Sequence, residues 1–168
     1  MKKIILAVVL MGMVACQQDK LGYVDNVKVM SDYQEKIDID AKYKTLAETF
    51  AKKRDSISQT FQMEAQAFQV KAQSMSQTKA QEEYAVIQQK GQFIGQQLQQ
   101  EELALQQKNQ TEMDSLITKV KDEIKAYGKA NGYTYLLSGG DGGSVLYGTE
   151  TNDVTDAIVK ILNDKYKK

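Results

Sequence analysis

Apolar residues recur at a fixed spacing through the middle of the chain. From about residue 40 to residue 131 there is no proline, and glycine occurs only at positions 91, 95 and 128. This segment is far longer than the average globular helix of about 12 residues. The polar cluster at 74–78, Ser-Met-Ser-Gln-Thr, tolerates a turn. The pattern therefore predicts two long antiparallel helices with a tip near residues 74–78.

The apolar positions in both helices repeat every eleven residues. Eleven residues over three turns give about 3.67 residues per turn, which predicts nearly straight helices without sustained left-handed supercoiling. The stripe is thin, so we expect the two helices to be mobile. Its members are Leu46, Phe50, Ile57, Phe61, Phe68 and Ala72 in the first helix, and Ile87, Ile94, Leu98, Leu105, Asn109, Leu116, Val120 and Tyr127 in the second.

Two glycines interrupt the second helix. Gly91 and Gly95 each weaken a helix by about 1 kcal/mol relative to alanine. Glycines at this spacing bring helices close together in membranes, but the glutamines around them argue against a lipid setting. We therefore expect a flexible point in the helix rather than a close contact.

Both ends of the chain predict a small body with short strands. Residues 21–24 form an apolar strand pattern, and Asp25 or Asn26 can cap a helical turn over residues 27–33. Residues 132–137 and 144–147 predict two strands that form a hairpin around the glycine-rich turn 139–143.

The last segment, residues 154–166, has the alternation of an amphipathic helix. Asp153 is the expected cap of this helix, and Asp156 lies three residues further on, in the capping-box position.

Together these elements predict an α+β fold. Residues 21–39 and 128–168 form a β-rich body, and residues 40–127 form a long helical hairpin. A body of this size buries little apolar surface, so we expect several copies to associate through it. The candidate interface residues are Tyr23, Val24, Tyr133, Tyr135, Val145 and Tyr147.

The first fifteen residues predict an export signal. Lys2 and Lys3 precede an apolar run over residues 4–15, which is shorter than the roughly 20 residues of a membrane span. The only cysteine, Cys16, follows directly, as in the lipoprotein box of bacteria. We predict cleavage before Cys16, lipidation of Cys16 and a tether over residues 16–20. An ordinary secretory signal with an incidental cysteine is the alternative.

Composition narrows the possible chemistry. The chain has no histidine and one cysteine, which excludes histidine-based triads, the usual zinc, iron and copper sites, and a disulfide within one chain. Its 22 basic and 22 acidic side chains give no reason to expect nucleic acid. The turn 139–143 lacks the lysine and the following helix of a phosphate loop. We therefore predict no metal, no cofactor and no enzyme activity.

Glutamine dominates the polar faces of the hairpin. Seventeen glutamines lie between residues 59 and 110. Glutamine is a good helix former without charge, so these faces are either solvated filler or a wettable surface that tolerates many partners. For any single glutamine we favour filler.

Several segments resemble the Skp/OmpH family of periplasmic chaperones, over about residues 21–164. They are Leu-Gly-Tyr-Val-Asp at 21–25, the proline-free hairpin, Gly-Tyr-Thr-Tyr-Leu-Leu at 132–137 and Asp-Val-Thr-Asp-Ala-Ile-Val at 153–159. The resemblance implies a jellyfish-like homotrimer whose hairpins form tentacles around a cavity. It also implies that unfolded outer-membrane β-barrel proteins are held in that cavity without ATP, in the periplasm.

The chain departs from the familiar members of that family in two respects. Those members are strongly basic and soluble, whereas loss of Lys2 and Lys3 leaves this chain with two more acidic than basic side chains. We therefore expect this chain to attract clients only weakly by charge, and we assign it no lipopolysaccharide site from the resemblance. We also expect a periplasmic lipoprotein that is anchored to a membrane of a Gram-negative-type envelope. The alternative function is a coiled-coil structural or adaptor lipoprotein. The candidate client-binding residues lie off the stripe: Met63, Met75, Tyr84 and Phe93.

Overall fold

The computed structural model describes residues 19–167, so the predicted export signal and Cys16 lie outside the described residues. Two compact units are present, and we call them the terminal unit, residues 19–35 and 117–167, and the hairpin unit, Lys36–Leu116. The elements in chain order are β1 (Leu21–Asp25), α1 (Asn26–Asp32), α2 (Gln34–Ala72), α3 (Gln77–Ala130), β2 (Tyr135–Gly139), a 3₁₀ turn (Glu150–Asn152) and α4 (Thr155–Tyr166).

The sheet of the terminal unit has two strands, and they are parallel. Leu21 of β1 pairs with Tyr135 of β2, and Asp25 pairs with Gly139. The predicted strand at 132–137 therefore begins three residues later than expected and pairs with β1. A parallel pair needs a long crossover, and the whole α2–α3 segment supplies it.

The predicted strand at 144–147 is wrong, and with it the β-rich body of three strands. The chain turns after β2 because Gly140 and Gly142 take positive φ angles of 75° and 78°, and the Gly143 N–H donates to the Gly140 carbonyl. Val145 N–H still donates to the Ser138 carbonyl at 3.0 Å, but no ladder follows. Leu146 is 100% exposed, so within one chain this apolar side chain gains no burial that could stabilise a third strand.

The other edge of β1 is joined to the start of α4. Val154 N–H donates to the Tyr23 carbonyl at 3.0 Å, and Asp25 N–H donates to Thr155 Oγ1 at 2.9 Å. Thr155 is buried, and the Asp153 carboxylate accepts from its N–H at 2.8 Å. These bonds connect the first and last elements of the terminal unit.

The helix caps are partly as predicted. Asp25 caps α1, because its carboxylate accepts from Lys28 N–H at 3.0 Å. At α4 the N-cap position is Val154, one residue after Asp153. The predicted capping-box role of Asp156 is wrong, since its carboxylate instead pairs with the Lys28 ammonium at 2.6 Å.

The core of the terminal unit lies where α4 packs on α1 and β1. Asn163 of α4 also spans the break between α1 and α2: its Oδ1 accepts from Gln34 N–H at 2.8 Å, and its Nδ2 donates to the Asp32 carbonyl at 3.0 Å. The buried apolar side chains are Val24, Val29, Tyr33, Val120, Val154, Ile158 and Leu162.

The hairpin unit confirms the eleven-residue stripe. Positions 50, 57, 61, 68 and 72 of α2 and positions 87, 94, 98, 105 and 109 of α3 are half-buried, and Leu116 is buried. Leu46 is the exception, because it is exposed. The two helices are separated by residues 73–76.

Four ion pairs join α2 to α3, and three of them follow the eleven-residue spacing of the stripe. Lysines and glutamates step from 42 to 53 to 64 along α2, and their partners step back from 112 to 101 to 90 along α3. A fourth pair, Lys71–Glu83, follows seven residues on in both helices. The hydrogen bond from Lys42 lowers the pKa of the Glu112 carboxyl. Each exposed pair contributes little stability alone, but the set is consistent with a single helix register.

Gly91 lies at a close contact between the two helices. A Cβ at this position would lie 2.8 Å from Phe61 Cζ, whereas a Cβ at Gly95 would have no atom within 4 Å. The two helices therefore approach closely at Gly91, where no close contact was expected.

Replacing each glycine by alanine separates the two roles. Gly95→Ala should raise the stability of the hairpin by about 1 kcal/mol, because it gains helix propensity in open space. Gly91→Ala should gain much less or lose stability, because the Phe61 ring must move. Thermal unfolding followed by circular dichroism measures both variants. Equal stabilisation by the two would contradict the Phe61 contact.

The buried hydroxyl of Thr155 offers a second test. Thr155→Val keeps the shape but removes both the acceptor for Asp25 N–H and the hydroxyl donor to the Asp153 carboxylate, and should destabilise the terminal unit by about 1–3 kcal/mol. Thr155→Ser keeps the hydroxyl and should lose much less, and Thr151→Val serves as an exposed control. Urea unfolding gives these differences. A Thr155→Val variant as stable as the serine variant would contradict the role of this hydroxyl.

Candidate functional surfaces

The hairpin unit exposes large apolar side chains on the outside of its helices. Of the four predicted client-binding residues, Met63, Tyr84 and Phe93 are exposed, whereas Met75 at the turn is half-buried. Between residues 47 and 116, three further exposed apolar residues were missed: Val70, Val86 and Leu103. They too lie off the eleven-residue stripe, so the rule that selected the first four would have found them.

These side chains lie on more than one side of the helices. Val86 and Phe93 are seven residues apart and share one side of α3, and Met63 and Val70 are related in the same way on α2. Tyr84 instead stacks on Phe68, with ring centroids 6.4 Å apart. Scattered apolar contacts of this kind suit many weak interactions better than one tight ligand site.

The half of the hairpin nearest the turn carries no net charge. Between Ser56 and Gln100 there are three lysines and three glutamates. Two of these lysines, Lys71 and Lys90, pair with Glu83 and Glu64 across the helices. The remaining polar surface is largely glutamine, so this region offers neutral hydrogen-bonding groups beside its apolar side chains.

A second apolar surface lies on the outer face of the two-stranded sheet. Residues paired in a parallel register point to the same face, so Leu21 and Tyr135 lie together, with Leu137 beside them. All three are exposed, as are Leu146 and Tyr147 in the following loop. An exposed apolar face with an adjoining apolar loop is a typical interaction surface.

The predicted interface residues fall into two groups. Tyr135 and Tyr147 lie on this exposed surface, and Val145 and Tyr23 are half-buried near it. Val24, in contrast, is only 1% exposed and packs in the core of its own chain. Tyr133 stacks on Tyr127 at 6.1 Å and lies under the Lys20 ammonium at 4.0 Å. The predicted interface residues did not include Leu21, Leu137 and Leu146, although all three lie in the segments predicted to be strands.

Residues 19–167 contain no group of three or more histidine, cysteine, aspartate or glutamate side chains placed to hold a metal ion. None of the helices in the same part of the chain has the length and apolar character needed to cross a membrane.

Comparison with known proteins bears on both the fold and the family. The family model described as "Outer membrane protein (OmpH-like)" matches residues 20–162. Among solved structures, the chain is similar to an OmpH-like protein of Caulobacter crescentus CB15 that is named as a candidate outer membrane chaperone. The TM-score is 0.77 at 16% identity, and the match covers 90% of this chain and 88% of that one. No curated protein matches the chain.

The likeness to the Caulobacter structure shows a shared fold of long helices with a small two-stranded sheet. The family match spans most of the sequence and confirms the resemblance seen in the sequence segments. The chain therefore belongs to the OmpH-like family.

Proposed function

We propose that this chain is an ATP-independent holdase chaperone that binds unfolded outer-membrane β-barrel proteins in the periplasm. A chaperone-type function is supported by the family and by the candidate chaperone role of the Caulobacter protein. The finer proposal, the class of client, rests on the chemistry of the hairpin.

The observation that carries the proposal is the set of exposed apolar side chains on the hairpin helices. Three of them are Val70, Val86 and Phe93, which are exposed to solvent on a surface without net charge. Helices of soluble proteins usually place polar residues at such positions. An unfolded β-barrel protein exposes apolar side chains at every second position of its strand segments and aggregates through their edges. Many weak apolar contacts can shield such segments and release them to a better acceptor without a chemical step.

Self-association is the second part of the proposal. We propose a homotrimer formed through the outer face of the sheet and the loop after it, where Tyr135, Leu137, Leu146 and Tyr147 are exposed. A two-stranded sheet is marginal alone in water, and burial of this face between chains would stabilise it. Three hairpins would then surround a common space for a client.

Attachment to a membrane is the third part. We propose that Cys16 is lipidated, as its place after an apolar run of twelve residues suggests. Four residues separate Cys16 from Leu21, the first residue of β1. An anchored terminal unit would therefore lie close to the membrane surface.

A shortened hairpin tests the holdase proposal. Deletion of residues 54–64 and 90–100 removes one eleven-residue repeat from each helix, about 16 Å of length. It removes both members of the Glu64–Lys90 ion pair and both Phe61 and Gly91, and the stripe and remaining ion pairs keep their register. We expect weaker suppression of aggregation when a β-barrel protein is diluted from urea, measured by light scattering.

The control is the helical signal and thermal unfolding of the shortened chain, which should remain cooperative. Unchanged protection by a folded shortened chain would argue against the hairpin as the binding element. An intact chain that protects no client at all would instead favour the alternative, a coiled-coil adaptor lipoprotein with one defined partner.

A further inference from the structure

A cavity of about 450 Å³ opens between the helices of the hairpin unit near their turn. We call it the tip notch. Its floor is formed by two stripe residues, Phe68 and Ile87, and its edges by the exposed Ala67 and Val86. The other lining residues are charged: Glu64, Lys71 and Glu83.

Those charged residues belong to the two ion pairs that bound the notch. Glu64 pairs with Lys90 at one end, and Lys71 pairs with Glu83 at 3.2 Å at the other. The two pairs are seven residues apart along each helix, about 10 Å at 1.5 Å per residue. The other neighbouring pairs are eleven residues apart. Because these two ion pairs are closer together than the others, one lies at each end of the apolar floor.

The ends of the notch select against a charged occupant. Each end holds one ammonium and one carboxylate that neutralise each other, so neither end attracts a net charge. Both groups keep free hydrogen-bonding capacity, because an ammonium has three donors and a carboxylate about four acceptor positions. A peptide backbone offers one carbonyl and one N–H per residue, which complements such an end without adding charge.

We propose that the tip notch binds a large apolar side chain of an uncharged, extended segment of an unfolded client protein. A stretch of about 10 Å corresponds to roughly three residues of extended chain. Because side chains alternate between faces, one or two of them would enter the notch. The volume lies within the usual range of about 300–1,000 Å³ for ligand pockets. This inference rests on the proposed function and gives it a specific contact.

Glutamine substitutions at the edges of the notch test this inference. Ala67→Gln with Val86→Gln fills the edges with polar groups, and both positions are exposed helix positions that tolerate glutamine. The matched control is Ile37→Gln with Ala47→Gln, which changes one β-branched side chain and one alanine at exposed helix positions that do not line the notch. Ile37 is 44% exposed and Val86 64%, so both double variants replace a solvent-exposed β-branched side chain by glutamine.

Binding is measured directly with a capped, uncharged peptide, Ser-Val-Ser-Trp-Ser-Val-Ser. The chain contains no tryptophan, so indole fluorescence reports only on the peptide. We expect saturable binding to the full chain, with Kd raised about tenfold by the notch variant and less than about twofold by the control. Raising the salt concentration should change Kd little, because the peptide carries no charge whose attraction to the notch salt could screen.

A second readout uses a photoreactive residue at position 86 or, as the control, at the exposed position 47, with a β-barrel protein diluted from urea. We expect crosslinks to form predominantly from position 86. The inference is overturned if the peptide does not bind, if both double variants weaken binding equally, or if crosslinks form from position 47 with the same yield as from position 86. If the peptide binds in the notch but the intact chain protects no client, the notch stands and the holdase proposal fails.

Discussion

The packing of α2 against α3 along the eleven-residue stripe is the interaction on which the rest of the hairpin depends. About two strongly apolar residues per repeat pack against the other helix, and three of the four ion pairs follow the same spacing. The contact of Phe61 with Gly91 shows how closely the helices approach at one point. Because so little apolar surface is used to join the helices, most helix positions are free of a structural role. Those positions carry the glutamines and the exposed apolar side chains that give the hairpin its proposed function.

The terminal unit is organised differently, by hydrogen bonds between the first and last elements of the chain. Thr155, Asp25 and Asn163 connect segments more than a hundred residues apart. The outcome is a small core with an apolar sheet face left in water, where Leu21, Tyr135 and Leu137 lie together. A unit of this kind gains stability if that face is covered by other copies. The self-association proposed for this chain would therefore complete the terminal unit and leave the hairpin helices available to clients.

Periodicity within a helix is a local property, so the sequence alone predicted the stripe, the turn and the exposed positions of Met63, Tyr84 and Phe93. Strand pairing depends on segments that are distant in the chain, and the glycine-rich turn favoured a local hairpin where β1 and β2 pair in parallel instead. Val24 and Tyr133 were selected as apolar strand residues, but which strand face points inward depends on the position of α4 and α3. The tip notch could not be predicted, because it requires the pairing of Glu64 with Lys90 and of Lys71 with Glu83 across the turn.

We propose that this chain holds an unfolded β-barrel protein in a discrete complex. Sedimentation velocity on residues 17–168, alone and with an outer-membrane β-barrel protein diluted from urea, tests this proposal most directly. We expect a trimer alone and a soluble complex of defined mass with the client. A trimer that leaves the client to aggregate would contradict the chaperone function, and a monomer would also contradict the shared cavity on which the mechanism depends.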